Sequence, residues 1–386
     1  MKLLCKTSDL LHALTLVSRA ISNQQALPIL GNILIEAEGK RCVVSATDLE
    51  LSIVTSFDVE IENEGSITVP ARAFLNFAQY NTDPDVLLET SEGTQLKCSS
   101  PHAKTVIAGE AASEYPTISR IEKETSFSME SGPLLNALHL VTFASAKTTL
   151  RPVLAGVYIR SEKSNLIFVA TDSYRLSEYK LPSKGGSADI SCIVPGKVLE
   201  ELRSILASAK GEKHGKGDEE SGKKDSPEVQ VSLSSQQIEI KVGHTHLLSR
   251  LIEGKFPDYR QIIPENMKSK VAVSTKDLVN LAKRMHYFAR ETNNNLTWTV
   301  RKSNNTLHIT TPHTQAGRDE ATLDVELTGE DNKIALSSSY LLDFLSHVND
   351  DVVEVHLTDS MHPAVFRLPS DKNLLHLIMP LRIQEE

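Results

Sequence analysis

Several kinds of residue and motif are scarce in this sequence, and their scarcity excludes whole classes of protein. Only 5% of the residues are aromatic, so we expect cores built mainly from aliphatic side chains. The four cysteines lie far apart and form no C-x-x-C pair, which argues against a zinc site and for a reducing compartment. No apolar run reaches the roughly 18 residues that a membrane-spanning helix needs.

Motifs of the common catalytic and nucleotide-binding folds are also absent. The chain contains no G-x-x-x-x-G-K-[ST], G-x-G-x-x-G, G-x-S-x-G or H-E-x-x-H. The opening run MKLLCKTSDLLHALTLVSRAI resembles a signal peptide, but Lys6, Asp9 and His12 interrupt it and no small-residue cleavage site follows. We therefore expect a cytoplasmic protein that uses no cofactor or metal and does not associate with a membrane.

The chain instead repeats itself at a fixed distance. Thr47–Ser52 reads TDLELS, and 124 residues later Thr171–Ser177 reads TDSYRLS. The pair Val69-Pro70 returns as Val194-Pro195 at a distance of 125 residues. A fainter third copy is recognised by two leucines 64 residues apart, a spacing that all three copies share. Self-similarity at one long period indicates tandem copies of a single structural unit.

Each copy shows the same order of predicted elements. A strand and an amphipathic helix come first, then strands, a second helix and further strands. This pattern predicts an α+β fold with three tandem domains, at 1–120, 121–255 and 256–386. The second domain contains the polar run GEKHGKGDEESGKKDSP at 211–227, which we interpret as a disordered, exposed insertion because it has no apolar residue to bury.

The chain is acidic overall, but its predicted helices are basic. The formal net charge is −9. The predicted helices are 8–21, 71–80, 133–147, 196–210, 275–290 and 337–348. They contain ten basic and five acidic residues, which gives them a net charge of +5. A shared surface of such helices would suit phosphate contacts without base reading, although an excess of this size can also arise by chance.

Few residues could carry chemistry. His244 and His246 share a face of a predicted strand and could bind a metal, but no third ligand is near them in sequence. Asp172 recurs in the first copy, which favours a turn-forming role over that of a catalytic carboxylate. Tyr174-Arg175-Leu176 stands where the first copy has Leu49-Glu50-Leu51, and this difference indicates either a recognition site or a solvated turn.

Six motifs, ordered and correctly spaced, carry a family resemblance. They are LPILGN (27–32), TDLE (47–50), VPAR (69–72), ATDSYRLS (170–177), FPDYR (256–260) and IMPLRI (378–383). Together they resemble the β sliding clamp family of bacterial DNA polymerase III, over the whole chain except 211–227. The resemblance implies three clamp-fold domains per chain and a head-to-tail homodimer. Two chains would then form a closed six-domain ring around duplex DNA.

The resemblance implies a non-enzymatic processivity factor of DNA replication. Its ring would contact double-stranded DNA without sequence specificity. It would tether the DNA polymerase III α subunit, the clamp loader, other polymerases and repair proteins through short clamp-binding peptides. A peptide-binding adaptor that does not encircle DNA is the alternative. An enzyme using Asp172 with Arg175, or the histidine pair, is a third reading that no motif supports.

The family's functional residues correspond to three groups of positions in this sequence. The implied peptide-binding pocket comprises Leu154, Thr171, Ser173, Tyr174, Arg175, Leu176, Pro257, Gln261, Ile262, Pro363, Leu377, Met379, Pro380, Leu381 and Arg382. The implied DNA-binding residues are Arg19, Gln24, Arg72, Lys147, Thr148, Lys197, Arg203, Lys210, Lys276, Lys283 and Arg284. The implied dimer interface contains Thr105, Ile107, Tyr287 and Phe288.

The sequence departs from the family's pattern at some of these positions. Ser173-Tyr174 stands where many members have Gly-His, and Gln261 where many have a basic residue. We therefore expect a different peptide preference at the rim of the pocket. Pro152-Val153 replaces aromatic residues in the loop that reaches toward DNA in the family. DNA contact is accordingly expected to be weaker or to shift toward Lys147 and Lys197.

Overall fold

The computed structural model of the chain describes residues 1–22, 27–91, 94–118, 121–148, 150–183, 189–211 and 228–383, with only the backbone at 209–211. Apart from Gly211, which ends a helix, the predicted insertion at 211–227 lies outside the described residues. The chain forms two compact units. Unit 1 comprises Met1–Gly132 and Lys197–Leu251, and unit 2 comprises Pro133–Gly196 and Ile252–Glu386.

The α-helices begin close to their predicted positions. They are α1 (Thr7–Val17), α2 (Ala71–Tyr80), α3 (Ser131–Val141), α4 (Gly196–Gly211), α5 (Thr275–Ala289) and α6 (Ser338–Leu345). Short 3-10 turns at Ser18–Ala20 and Thr142–Ala144 follow α1 and α3, so the predicted ends at 21 and 147 are too late. Serine hydroxyl groups satisfy backbone carbonyls where these helices end. Ser18 Oγ donates to the carbonyl of Thr15, and Ser145 Oγ donates to that of Thr142.

Strands make up most of the remaining regular structure. In chain order they are β1 (Lys2–Lys6), β2 (Asn32–Glu38), β3 (Arg41–Thr47), β4 (Leu51–Asp58), β5 (Glu60–Asn63), β6 (Gly65–Pro70), β7 (Asp85–Ser91), β8 (Gln95–Ser99), β9 (Lys104–Ala108), β10 (Thr125–Glu130), β11 (Gly156–Glu162), β12 (Asn165–Thr171), β13 (Arg175–Pro182), β14 (Ser191–Pro195), β15 (Glu228–Leu233), β16 (Gln237–Val242), β17 (Thr245–Arg250), β18 (Ser269–Ser274), β19 (Asn295–Arg301), β20 (Thr306–Thr310), β21 (Glu320–Asp324), β22 (Glu326–Gly329), β23 (Asn332–Ser337), β24 (Val352–Leu357), β25 (Ala364–Arg367) and β26 (Leu374–Ile378).

The described residues of unit 1 form two sheets. One has the strand order β5-β1-β7-β8-β9, and the other has the order β10-β15-β16-β17-β4-β3-β2-β6. The antiparallel pair β4–β17 joins the first copy of the repeat to the end of the second, with His246 opposite Val54 and Ser249 opposite Leu51. Helices α1 and α2 pack against each other within this unit.

Unit 2 repeats this arrangement. Its sheets have the orders β14-β11-β12-β13-β26-β25-β24-β18-β22 and β21-β20-β19-β23. Here the antiparallel pair β13–β26 joins the second copy to the end of the third, with Arg175 opposite Ile378 and Tyr179 opposite Leu374. Helices α5 and α6 pack against each other. The sequence prediction of an α+β fold is confirmed.

The cores follow the two-residue period of the strands. In β1 the side chains of Leu3 and Cys5 are buried while their neighbours face outward, and β8 alternates in the same way. Trp298, the single tryptophan, is fully buried in unit 2. Most other core residues are Leu, Ile, Val and Ala, each large one contributing about 1.5–3 kcal/mol on full burial.

The two compact units do not coincide with the three repeat copies. The middle copy is divided: β11–β14 belong to unit 2, and β15–β17 belong to unit 1. The domain boundaries near 120 and 255 therefore stay a prediction from the repeat. No helix among the described residues is both long enough and apolar enough to cross a membrane.

Candidate functional site

The turn between β12 and β13 is organised by its own side chains. Thr171 Oγ1 donates to the carbonyl of Arg175 at 2.6 Å and accepts from the backbone N–H of Ser173 at 3.1 Å. Asp172 Oδ1 accepts from the N–H groups of Tyr174 and Arg175 at 2.9 and 3.0 Å. Asp172 is therefore a turn former, as expected from its recurrence, because its carboxylate replaces backbone partners that the turn lacks.

The same turn is present in unit 1, and it corrects the alignment of the two copies. Thr47 Oγ1 donates to the carbonyl of Leu51, as Thr171 does to that of Arg175. The residues with positive φ are Leu49 (76°) and Ser173 (80°). Arg175 therefore corresponds to Leu51. The alignment that matched Tyr174 with Leu49 had instead matched Arg175 with Glu50. The constant offset of 124 residues runs through the whole turn.

The substitution of arginine for Leu51 places a cation in the core of unit 2. Only 5% of the Arg175 side chain is exposed. Its Nε donates to Asp172 Oδ2 at 3.0 Å, its Nη1 pairs with Asp343, and its Nη2 donates to the carbonyl of Phe143 at 2.7 Å. A buried cation is tolerated when it is paired and hydrogen-bonded in this way. Arg175 thus fixes the turn against α6 and the 3-10 turn that follows α3.

An open cavity of about 420 Å³ lies beside this turn. Its lining is largely apolar, and all of it belongs to unit 2. The lining residues are Arg151, Val153, Leu154, Thr171, Ser173, Arg175, Leu176, Pro257, Asp258, Tyr259, Ile262, Leu377 and Met379. A concave apolar site with a few polar groups is the usual form of a binding pocket.

Several elements hold the cavity in place. Leu176 and Leu377 are direct cross-strand partners in the β13–β26 pair and are fully buried. Met379 follows β26, and its N–H donates to the carbonyl of Tyr174 at 2.8 Å. Behind this wall lies a core cluster that also contains Leu154 and Tyr259. The floor of the cavity is therefore continuous with the core of unit 2, and only its rim is adaptable.

The structure brings nine of the predicted pocket residues together around the cavity. These are Leu154, Thr171, Ser173, Arg175, Leu176, Pro257, Ile262, Leu377 and Met379. Sequence reasoning missed Arg151, Val153, Asp258 and Tyr259. Asp258 and Tyr259 carried a signal, since both are in the FPDYR motif from which Pro257 was taken. The other two come from the loop before β11, and no pattern in the sequence assigned them to the pocket.

The remaining predicted pocket residues do not line the cavity. Tyr174 is 61% exposed, and its ring stacks on Tyr340 with centroids 6.3 Å apart. Gln261 is exposed, and its Nε2 donates to Asp258 Oδ2 at 2.8 Å. The others lie in the strand ends and the C-terminal segment of unit 2: Pro363, Pro380, Leu381 and Arg382. Pro363 is buried, whereas Arg382 is exposed.

The predicted DNA-binding residues differ in how available their charges are. Three are in ion pairs: Arg19 with Glu201, Lys197 with Asp48, and Arg284 with Asp319. Five are exposed: Arg72, Lys147, Thr148, Lys276 and Lys283. Arg203 is half-buried on α4. Gln24 lies outside the described residues, and of Lys210 only the backbone is described. The helical charge of +5 is therefore partly neutralised.

The predicted interface residues lie on or beside edge strands. Thr105 and Ile107 are in β9, an edge of the five-stranded sheet of unit 1; Ile107 faces the core, and the neighbouring Val106 is 50% exposed. Tyr287 and Phe288 are near the end of α5 in unit 2, with ring centroids 5.3 Å apart at 88°. Tyr287 is 67% exposed and Phe288 is half-buried. Exposed aromatic pairs are typical of interfaces.

His244 and His246 do not share a strand as the sequence suggested. His244 precedes β17, so only His246 is in the strand, and its Nδ1 lies 2.8 Å from Glu239 Oε1. Within the described ranges, no group of three or more His, Cys, Asp or Glu side chains is arranged to hold a metal ion. The cysteines described are free thiols, and burial raises the pKa of Cys42 and Cys98 to about 12.

Comparisons with known proteins agree with this architecture. Three family models match along the chain: the N-terminal domain of the DNA polymerase III beta subunit at residues 1–119, its central domain at 128–214 and its C-terminal domain at 260–382. A "Beta sliding clamp" from Synechocystis is 28% identical over 403 residues, covering 99% of this chain and 100% of the relative.

Solved structures show the same similarity. The DNA polymerase sliding clamp from Bacillus subtilis is 26% identical, with a TM-score of 0.90 and full coverage of both chains. The sliding clamp from Pseudomonas aeruginosa bound to griselimycin is 25% identical, with a TM-score of 0.90, covering 99% of this chain and 100% of the other. With three consecutive domain models matched in order, the chain belongs to the family of bacterial DNA polymerase III beta subunits, the β sliding clamps, which are non-catalytic processivity factors.

Proposed function

We propose that two copies of this chain close head to tail into a ring that encircles duplex DNA in the cytoplasm. The ring would hold partner proteins through the apolar cavity of unit 2. This cavity is the observation that carries the proposal, because a clamp acts only by tethering something else to DNA. Topological encirclement needs no tight DNA contact, so weak phosphate contacts that permit sliding are sufficient.

The edge strands support the closure of a ring. Inside the chain, β4 pairs with the last strand of the second copy and β13 pairs with the last strand of the third. β9 is the last strand of the first copy, and β21 in the third copy has the position that β4 and β13 have in the other two. In the described sheets, β9 and β21 are both edge strands. Pairing β21 of one chain with β9 of the other would repeat the same join. Thr105, Ile107, Tyr287 and Phe288 would then lie at the interface.

We infer weak, sequence-independent contacts between DNA and the exposed basic groups. Arg72, Lys147, Lys276 and Lys283 are exposed and thus available to phosphates. Lys197 and Arg284 would first have to leave Asp48 and Asp319, at 2.8 Å each, so their contribution would be smaller. Such contacts predict binding that falls steeply with salt, with a slope near −0.9 per phosphate neutralised.

Partner peptides would bind in the cavity beside Thr171–Arg175. Leu154, Leu176 and Leu377 offer an apolar floor, and Met379 offers a flexible wall. Ser173, Asp258 and Arg151 supply polar groups at the lining that can orient a peptide. Successive partners with similar short motifs can use one such site in turn. We propose the DNA polymerase III α subunit, the clamp loader, other polymerases and repair proteins as these partners.

A peptide-binding measurement tests the cavity. A labelled peptide containing Gln-Leu-Phe is titrated with the chain and followed by fluorescence polarisation. We expect saturable binding that Met379→Ala weakens about tenfold, equivalent to about 1.4 kcal/mol. Met361→Ala is the matched control, since Met361 is in the same unit but is 80% exposed and lies outside the cavity lining. Equal binding by both variants would mean that the cavity is not the peptide site.

A loading experiment separates the clamp from an adaptor that never encircles DNA. The chain is loaded by a bacterial clamp loader onto nicked circular DNA, and the same DNA is then linearised. We expect retention on the circle and loss from the linear form, because only a closed ring is held topologically. An adaptor bound by ordinary contacts would remain equally on both forms.

A further inference from the structure

A second and larger cavity lies in unit 1, on the sheet that contains β2, β3, β4, β16 and β17. Its volume is about 820 Å³. One wall is a sheet face with Leu34, Val54 and Leu248, and the opposite wall is the segment that includes Tyr115, Pro116 and Ile118. Cross-strand pairing confirms that the sheet residues share a face, since Ser45 is the partner of both Leu34 and Val54.

The cavity is charged as well as apolar. Its charged lining residues are Glu36, Glu239 and Lys123, and it also contains His244 and His246. Glu239 is only 14% exposed; its carboxylate lies 2.8 Å from His246 Nδ1 and 3.6 Å from Lys123 Nζ. Burial by itself raises the pKa of Glu239, but these two partners hold the pKa below its ordinary value. With neutral histidines, the described lining carries two carboxylates against one ammonium group.

The corresponding place in unit 2 is filled by aromatic rings. Tyr158 stacks on Phe256 with centroids 5.0 Å apart and planes within 16°, and Tyr259 meets Phe256 edge to face at 6.4 Å. The Tyr259 hydroxyl donates to Glu178 and accepts from Arg160 Nη2 at 3.2 Å. Phe256 and Tyr259 are both buried. The rings of Tyr158, Phe256 and Tyr259, with the polar partners of Tyr259, fill this part of unit 2.

The repeat shows which substitutions open the cavity in unit 1. Leu34 and Glu36 stand 124 residues before Tyr158 and Arg160. The segment Tyr115-Pro116 corresponds to Phe256-Pro257, which places Ile118 at the position of Tyr259. Unit 1 therefore lacks two rings that unit 2 has.

The sheet position that is a cation in unit 2 is an anion in unit 1, where Glu36 is exposed at the cavity. Compared with unit 2, the cavity in unit 1 lacks the volume of two aromatic side chains. It also has the carboxylate of Glu36 where unit 2 has the guanidinium of Arg160. A ligand that restores both features must bring a ring and a positive charge together. An aromatic ring against aliphatic walls gains area burial, and a cation beside Glu36 and Glu239 gains charge complementarity.

We propose that the unit 1 cavity is a binding site for an aromatic group that carries a positive charge, such as an aryl-alkylamine. The ring would lie between Leu34 and Ile118, where Tyr158 and Tyr259 lie in unit 2. The ammonium group would face Glu36. This site is separate from the proposed peptide pocket and does not depend on its function.

A matched pair of probes tests the proposal on the full chain. Tyramine has the ring and the positive charge, and 3-(4-hydroxyphenyl)propionate has the same ring with a negative charge. Each is titrated into protein with labelled Ile, Leu and Val methyl groups and followed by NMR. We expect saturable shifts at Leu34, Val54 and Ile118 with tyramine, with a dissociation constant on the order of millimolar for so small a ligand. The anionic probe should bind at least about fivefold more weakly.

Two variants locate the site. Glu36→Gln removes an exposed carboxylate without changing the shape, and it should weaken tyramine binding about threefold or more. Leu34→Tyr with Ile118→Tyr rebuilds the two rings of unit 2 and should abolish the tyramine shift at Val54, which keeps its labelled methyl groups. Val352→Tyr is the control, because it adds the same ring at a strand position of unit 2 that is 38% exposed. It should bind tyramine like the unmodified chain.

Three results would overturn the proposal. One is the absence of saturable tyramine shifts at the cavity methyl groups. Another is equal affinity for the two probes, which would remove the role of charge. The third is undiminished tyramine binding by Glu36→Gln, a result that does not depend on whether the doubly substituted chain folds.

Discussion

The Arg175 guanidinium donates from Nη2 to the carbonyl oxygen of Phe143 at 2.7 Å, which ties the turn before β13 to the residues that follow α3. The same group pairs with Asp172 and Asp343, and it lies over the rings of Phe143 and Tyr340 at 5.3 and 5.0 Å. One side chain therefore joins the turn beside the cavity, the 3-10 turn that follows α3 and helix α6. The wall of the proposed peptide site depends on this arginine for its position.

Replacing Arg175 should destabilise the chain strongly. Arg175→Met leaves the carboxylate of Asp172 and the carbonyl of Phe143 without their buried partner. Breaking a buried ion pair from one side costs about 3–5 kcal/mol in the free energy of unfolding. Urea unfolding measures the loss. Lys270→Met is the control, because the exposed Lys270–Glu354 pair is worth less than about 1 kcal/mol. Similar losses for both variants would contradict the structural role of Arg175.

Residue 173 should tolerate glycine better than a β-branched residue. The φ of Ser173 is 80°, a left-handed conformation that costs a side-chain-bearing residue about 1–2 kcal/mol. We expect Ser173→Gly to be close to neutral and Ser173→Val to lower the free energy of unfolding by about 1–2 kcal/mol. Ser66→Val, at an exposed position of strand β6, should have little effect. A harmless Ser173→Val would show that the turn relaxes at little cost.

The stability of unit 2 should fall as the pH drops below about 6.5, the ordinary pKa of histidine. His376 is fully buried, with Nδ1 2.7 Å from Ser177 Oγ. Burial, with Arg175 and His347 nearby, holds the pKa of His376 well below its ordinary value of 6.5. The folded chain therefore keeps His376 neutral while the unfolded chain takes up a proton. Each pH unit below 6.5 should cost about 1.4 kcal/mol, until the folded pKa is reached.

The measurement for His376 is the free energy of unfolding between pH 5 and 7.5. His376→Gln removes the titrating group. The slope of its free energy of unfolding against pH should therefore be smaller by about 1.4 kcal/mol per pH unit, whatever the absolute stability of the variant. Burial also lowers the pKa of His286 and His356, and these residues remain in the variant. Parallel curves for the two proteins would show that His376 does not contribute.

Removing the Phe288 ring should weaken the proposed dimer. An aromatic ring buried at an interface contributes about 1–3 kcal/mol, which corresponds to about a 5- to 150-fold change in dissociation constant. Sedimentation velocity over a range of concentrations measures the dimer dissociation of Phe288→Ala. Tyr80→Ala is the control, because Tyr80 is 71% exposed on α2 and is not in the proposed interface. An unchanged dissociation constant for Phe288→Ala would remove this residue from the interface.

The repeat made the turn at Thr171 predictable, but not its register. TDLELS and TDSYRLS both end in serine, and matching these endings placed Tyr174 opposite Leu49. The hydrogen bonds of Thr47 and Thr171 match the turns without a gap, and the strand pairings keep the offset of 124 residues through β4 and β13, so the two serines are not equivalent. Only the backbone partners of a side chain reveal such a one-residue shift, because composition is nearly the same in either alignment.

The cavity beside this turn was predicted in its apolar floor and missed at part of its rim. Leu176 and Leu377 were assigned to the pocket from the family resemblance and do line the cavity, while their role in peptide binding stays a prediction. Arg151 and Val153 were missed because they lie in the loop before β11, and the sequence pattern does not predict where that loop runs. Tyr174 was included, although its ring turns toward Tyr340. The direction of an exposed side chain depends on neighbours distant in sequence, which no local pattern encodes.

The division of the middle repeat between two compact units sets an order for biosynthesis. Unit 1 cannot complete its larger sheet until β17 has been made, and by then β11–β14 of unit 2 have already left the ribosome. Strand β13 must wait for β26, which lies almost at the end of the chain. At about 5–20 residues per second, that delay is on the order of ten seconds or more. A nascent chain therefore carries an open sheet edge at β13 while about 190 further residues are made, and chaperones can act on it in that interval.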